Sequence, residues 1–65
     1  MRVIPIDVYD KDGNFARIDV QDAAGEFVLQ ILWDSTDEQT SENREKFRKW
    51  AYDFLKNSKG YEVAT

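Results

Sequence analysis

The chain has 65 residues, 9 basic and 13 acidic, with no histidine, no cysteine and a net charge of -4. This excludes disulfide staples and the usual structural zinc sites, and an acidic balance works against binding nucleic acid through its phosphates. Such a length allows one domain, 1–65, that buries only about 60% of the surface its unfolded form exposes.

Two turn motifs organise the first half. Asp10-Lys11-Asp12-Gly13 and Asp22-Ala23-Ala24-Gly25 each put Asp first and Gly fourth in a type I turn, the pattern of a three-residue hairpin closed by a glycine bulge. The runs beside them are rich in β-branched and aromatic residues, which predicts strands over about 2–9, 15–21 and 26–33. Counted outward from Asp10 opposite Asn14 and Asp22 opposite Glu26, one sheet face collects Ile4, Ile6, Val8, Ala16, Ile18, Val20, Val28 and Leu32, with Gln30 its one polar member. That is the expected core face. The other face holds Val3, Pro5, Asp7 and Tyr9, then Phe15, Arg17, Asp19 and Gln21, then Phe27, Leu29, Ile31 and Trp33. Asp7 is expected to meet Arg17 across the strands, and Pro5, which cannot donate to a ladder, marks strand 1 as an edge.

A helix follows. Phe47, Trp50, Ala51, Phe54 and Leu55 recur at helical spacing, with Glu45, Lys49, Tyr52 and Lys56 on the opposite side. Glu42 with Lys46 and Glu45 with Lys49 are acid-first pairs four residues apart. The start is expected between residues 36 and 42, where Ser35 with Glu38, or Thr36 with Gln39, reads as a capping box; the end falls near 58, with Gly60 as terminator. Residues 61–65 either fray or add a short strand beside strand 1. The fold class is therefore α+β: a three-stranded antiparallel β-meander and one C-terminal amphipathic helix packed on one sheet face, βββα, with a possible fourth strand.

No residue pattern suggests catalysis. Without His or Cys the candidates are carboxylates, lysines, tyrosines and hydroxyls, and turn chemistry, solubility and helix pairing account for them. The chain is read as a non-enzyme with no cofactor, no metal and no small-molecule substrate. Asp10-Lys11-Asp12-Gly13-Asn14 fails as a calcium loop: with Gly13 at the invariant glycine, the first ligand position falls on Val8. No apolar run reaches the roughly 20 residues of a membrane helix, and Met1 to Pro5 lacks the apolar region of a secretory signal, so a cytoplasmic location is expected.

The order of three strands and a helix resembles that of the small DNA-binding domains of some phage integrases and of plant AP2-type factors, which read the major groove with the sheet. That resemblance implies a nucleic-acid-binding module, the alternative function. Those sheets present basic and aromatic side chains, whereas here the corresponding face has Asp7, Asp19, Phe27, Leu29 and Ile31 with Arg17 its one base. An acidic mimic of DNA needs a denser array of carboxylates.

What the pattern favours is protein binding. Tyr9, Phe15 and Trp33 fall side by side at one end of the outer face and Phe27, Leu29 and Ile31 continue along strand 3, an apolar patch of interface-type residues; Tyr52 adds an aromatic on the helix. The expectation is a small acidic interaction module, of the kind a phage or mobile element uses to inhibit or redirect a host protein, or a structural homodimer. Strand 3 is also a candidate free edge. The competing reading is that residues 34–46 or the tail fold over this face, or that a bulge turns Trp33 or Phe27 inward, making the patch ordinary core.

Overall fold

Each turn motif folds as its residues dictate. The Asp10 carbonyl accepts the Gly13 N–H (3.1 Å), its side-chain Oδ1 accepts the N–H groups of Asp12 and Asn14 (2.9 and 3.0 Å), and Gly13 takes φ 82°. Asp22 repeats this with Gly25, Ala24 and Glu26 (3.0, 2.9 and 2.9 Å), Gly25 lying at φ 84°. Positive φ is where a side chain meets the backbone and glycine does not. In the computed structural model, which describes residues 1–33 and 38–64, these turns join β1 (Arg2–Tyr9), β2 (Phe15–Asp22) and β3 (Phe27–Leu32) into an antiparallel meander. Helix α1 (Ser41–Asp53) runs into a wider π-type turn (Phe54–Ser58), and β4 (Glu62–Val63) then pairs parallel with β1. The strand order is β3-β2-β1-β4. The fold is the expected α+β arrangement, with the fourth strand present.

The register departs from expectation one pair beyond each turn. Tyr9 pairs with Phe15, but the next pair is Val8 with Arg17, so Ala16 bulges out of β2. Gln21 pairs with Phe27, but Val20 pairs with Leu29, so Val28 bulges out of β3. An extra residue reverses the facing of everything after it. The even residues of β2 therefore share a face with the odd residues of β1 and β3.

That face, which joins the β1 and β3 residues expected outside to the β2 residues expected in the core, is covered by the helix. Val3, Phe15, Ile18, Val20 and Ile31 are buried there against Ala51 and Leu55, and Leu29, Trp33, Phe47, Tyr52 and Phe54 pack around them. Of the expected core face, Ile18 and Val20 are core, whereas Ile4, Ile6 and Leu32 are exposed on the open side. Asp7 consequently meets Arg48 of the helix, while Arg17 pairs with Asp19 on its own strand (2.8 Å).

Thr40 caps the helix by accepting the Asn43 N–H (3.1 Å), inside the expected window; Ser35 and Thr36, the anticipated capping residues, lie outside the described residues. Gln39 fixes where the helix begins: its side-chain amide accepts from the Phe15 N–H and donates to the Phe15 carbonyl, both at 2.8 Å. Glu42 meets Lys46 as anticipated (3.4 Å), whereas Glu45 turns to Arg48. Gly60, at φ 71°, reverses the chain at the far end, and the Tyr61 N–H closes on the Leu55 carbonyl (3.0 Å).

Candidate functional site

The bulges redistribute the residues expected to bind a partner. Phe15 (2% exposed) and Ile31 (8%) are core, and Leu29 and Trp33 are half-buried under the helix. Tyr9, Phe15 and Trp33 do lie side by side, with ring centroids 5.5 and 5.7 Å apart, but Phe47 of the helix closes the cluster at 5.5 Å from Phe15 and 5.0 Å from Trp33. Their aromatic character fits packing. Phe27, 63% exposed, and Tyr9 remain at the surface. Tyr52 is half-buried rather than outward, and burial, with the Asp7 charge adding to it, raises its phenol above the ordinary value.

The helix divides its flanks between the two sides of the sheet. On the β1 side Arg48 donates to Asp7 through Nε (2.7 Å), with Nη2 in ion-pair contact with the same carboxylate (2.6 Å), donates through Nη2 to Tyr9 Oη (3.4 Å), also meets Glu45, and lies 5.7 Å from the Phe15 ring centroid. The Asp7 hydrogen bond holds the Arg48 guanidinium still more firmly in its charged form. On the β3 side Trp50 stacks between Phe47 (6.1 Å) and Phe54 (5.8 Å) and is 57% exposed.

These flanks overlook two different strand edges. β4 covers β1 only at Arg2 and Val3, through the Glu62 N–H to Met1 and the Ala64 N–H to Val3 (2.9 Å each). By alternation the next residue facing that way is Pro5, which has no N–H to offer, and the next is Asp7, held under Arg48. Beyond β4 this edge is charged, lacks a donor and is overhung.

The β3 edge has none of these devices. Among the described residues β2 is its one neighbour. Phe27-Val28-Leu29-Gln30-Ile31-Leu32 contains no charge and no proline. The Trp33 N–H points to Ala16 of β2 (3.0 Å), so by alternation Ile31 and Leu29 also face β2 and the backbone of Gln30 and Leu32 faces outward. Phe27 and Leu32 are exposed on the open face of that strand, and on the helix side Trp50 extends the cluster that Phe47 forms with Trp33.

The open face itself has a polar centre. Arg17, Asp19 and Gln21 run down β2 between Ile4, Ile6 and Val8 on β1 and Phe27, Gln30 and Leu32 on β3. The helix carries a shallow, open concavity of about 400 Å³ lined by Glu45, Arg48, Lys49, Tyr52, Asp53 and Lys56. Its charges are mixed. Among the described residues no group of three or more acidic side chains is placed to hold a metal, and no helix is long and apolar enough to cross a membrane. Comparison with protein-family models, curated proteins and solved structures gives no match to this chain.

Sequence reasoning named strand 3 as a candidate free edge but placed its weight on the faces, and a bulge moves faces while leaving edges where they are. Trp50 was assigned to the buried stripe, yet it lies on the stripe's margin.

Proposed function

We propose that this chain is a protein-interaction module that binds an extended segment of a partner by strand addition along β3. The observation that carries the reading is the edge itself: an uncharged, proline-free strand with outward backbone donors and acceptors, bracketed by Phe27, Leu32 and Trp50. An added strand gains main-chain hydrogen bonds, and its alternate side chains meet Trp50 on one side and Phe27 with Leu32 on the other. Docking on the open face is less favourable, since it takes the Arg17–Asp19 pair, with side chains 38% and 24% exposed, out of water. Desolvating such a pair costs several kcal/mol per ion unless new partners satisfy it.

The role is occlusion or assembly rather than catalysis. A nucleic-acid role is disfavoured by the same face, where Arg17 is already neutralised by Asp19. The test is a selection of linear peptides on the immobilised chain, followed by amide chemical-shift mapping. Selected peptides are expected to be apolar and β-forming, to perturb the amides of Gln30 and Leu32, and to lose binding to Leu32→Lys. Peptides that map to β1 or to the helix concavity, or no enrichment at all, would overturn the reading.

A further inference from the structure

Resting on that reading, we infer that the strand added to β3 is β3 of a second copy, giving a two-fold dimer with one continuous eight-stranded sheet and both helices on the same side. The sequence of this edge is complementary to itself when antiparallel. A two-fold axis near Gln30 sets Phe27 of each copy beside Leu32 of the other, so the two exposed apolar side chains of β3 cover one another. Gln30, exposed on the open face, then lies across from its equivalent, and two primary amides can donate and accept mutually. The Val28 bulge takes up the extra residue between Phe27 and Gln30, so both pairings share one register, and Leu29 to Leu32 stay in regular pairing with β2.

The helix flank obeys the same symmetry. Phe47 is fixed over the Trp33 end of β3 (5.0 Å), and Trp50 stands about 4.5 Å further along the helix axis, toward the middle of the strand. Antiparallel helices related by the axis bring Trp50 of each copy toward its own equivalent, so the one large apolar side chain exposed on this flank is covered by itself. A parallel arrangement, or a partner unrelated to this chain, has no such reason to match.

The expected association is modest. A standard interface takes about 800 Å² from each partner, more than a sixth of this chain's 4560 Å² surface, and one strand edge with a single tryptophan flank offers less. The experiment is sedimentation of the intact chain from about 10 µM to about 1 mM, with amide exchange measured at both ends of the range. The mass is expected to rise toward twice the monomer value, with protection appearing at Gln30 and Leu32. Leu32→Lys, which places a charge on the edge without touching the buried core, should weaken association by about 10-fold or more, and Ile6→Lys, on the far column of the open face, should leave it unchanged. A monomer at every concentration would overturn the self-pairing, and so would a dimer that Ile6→Lys dissociates and Leu32→Lys does not. The peptide selection distinguishes the two failures: a strict monomer that still binds peptides along β3 retains strand addition and loses only the identity of its partner.

Discussion

Along β1 the sheet ends in Pro5 and Asp7 beneath Arg48, with β4 closing the remainder; along β3 it ends in six uncharged residues beside an exposed Trp50. Both edges belong to the same small sheet and meet the same solvent. Their difference shows how little a guard requires: one missing N–H and one carboxylate held by a helix arginine suffice to make a strand a poor template. It also shows that the guard on β1 is a tertiary device, since Asp7 acquires its partner only when the helix docks.

The most damaging way to break this comparison is Phe15→Ala. The Phe15 ring lies beneath Arg48 on one side and against Trp33 and Phe47 on the other, so it supports both flanks. Its loss should cost about 3–5 kcal/mol, against a total of roughly 3–10 kcal/mol for a chain of this length, and circular dichroism melting should show a largely unfolded protein near room temperature. Next comes Arg48→Met. The Arg48 and Asp7 side chains are 22% and 26% exposed, so urea denaturation should register a loss of about 1.5–3 kcal/mol, the range for hydrogen bonds to charged groups. Arg17→Met, on the more exposed open-face pair, should cost at most about 1 kcal/mol.

Pro5→Val sharpens the contrast at smaller energetic cost. Stability should change by less than about 1 kcal/mol, but the β1 edge regains an outward donor. Turbidity and thioflavin fluorescence at raised concentration should then increase relative to the parent; no change would assign the guarding to Arg48 and Asp7 alone. The smallest effect concerns Tyr52. Burial raises its pKa above the ordinary phenol value of 10.0, so the fold favours the protonated phenol. That contribution is complete below pH 10 and is lost as pH rises through the elevated value. Denaturation midpoints should fall more steeply on the alkaline side for the parent than for Tyr52→Phe.

The turns, the three meander strands and the helix were legible because local chemistry specifies them: an Asp whose side chain accepts two backbone N–H groups, a Gly at positive φ, apolar residues at intervals of three and four; the fourth strand stayed open between fraying and pairing. Facing was not legible from counting, because Ala16 and Val28 each insert one residue and period-two patterns reverse on such a slip. A signal was present nonetheless. Each turn motif continues as Asn14-Phe15-Ala16 and Glu26-Phe27-Val28, so in both hairpins an acid or amide and a phenylalanine precede a small apolar residue that forms the bulge. The two hairpins repeat one local solution, and the Phe of each falls on a different side of the sheet. Phe15 enters the core and Phe27 stays outside. The Gln39 clasp on the Phe15 backbone was beyond reach, since it joins residues 24 apart through a polar side chain that no periodicity marks.

The parallel pairing of β4 with β1 has a mechanical consequence. Tension applied between Met1 and Ala64 pulls the two strands past one another rather than apart, so the bonds from Glu62 to Met1 and from Ala64 to Val3 are loaded together and must break together. The same two bonds in an antiparallel hairpin would open one after the other. Resistance to stretching in this chain therefore resides in a clasp of two residues, and its yield under force is set there before the hydrophobic core bears any load.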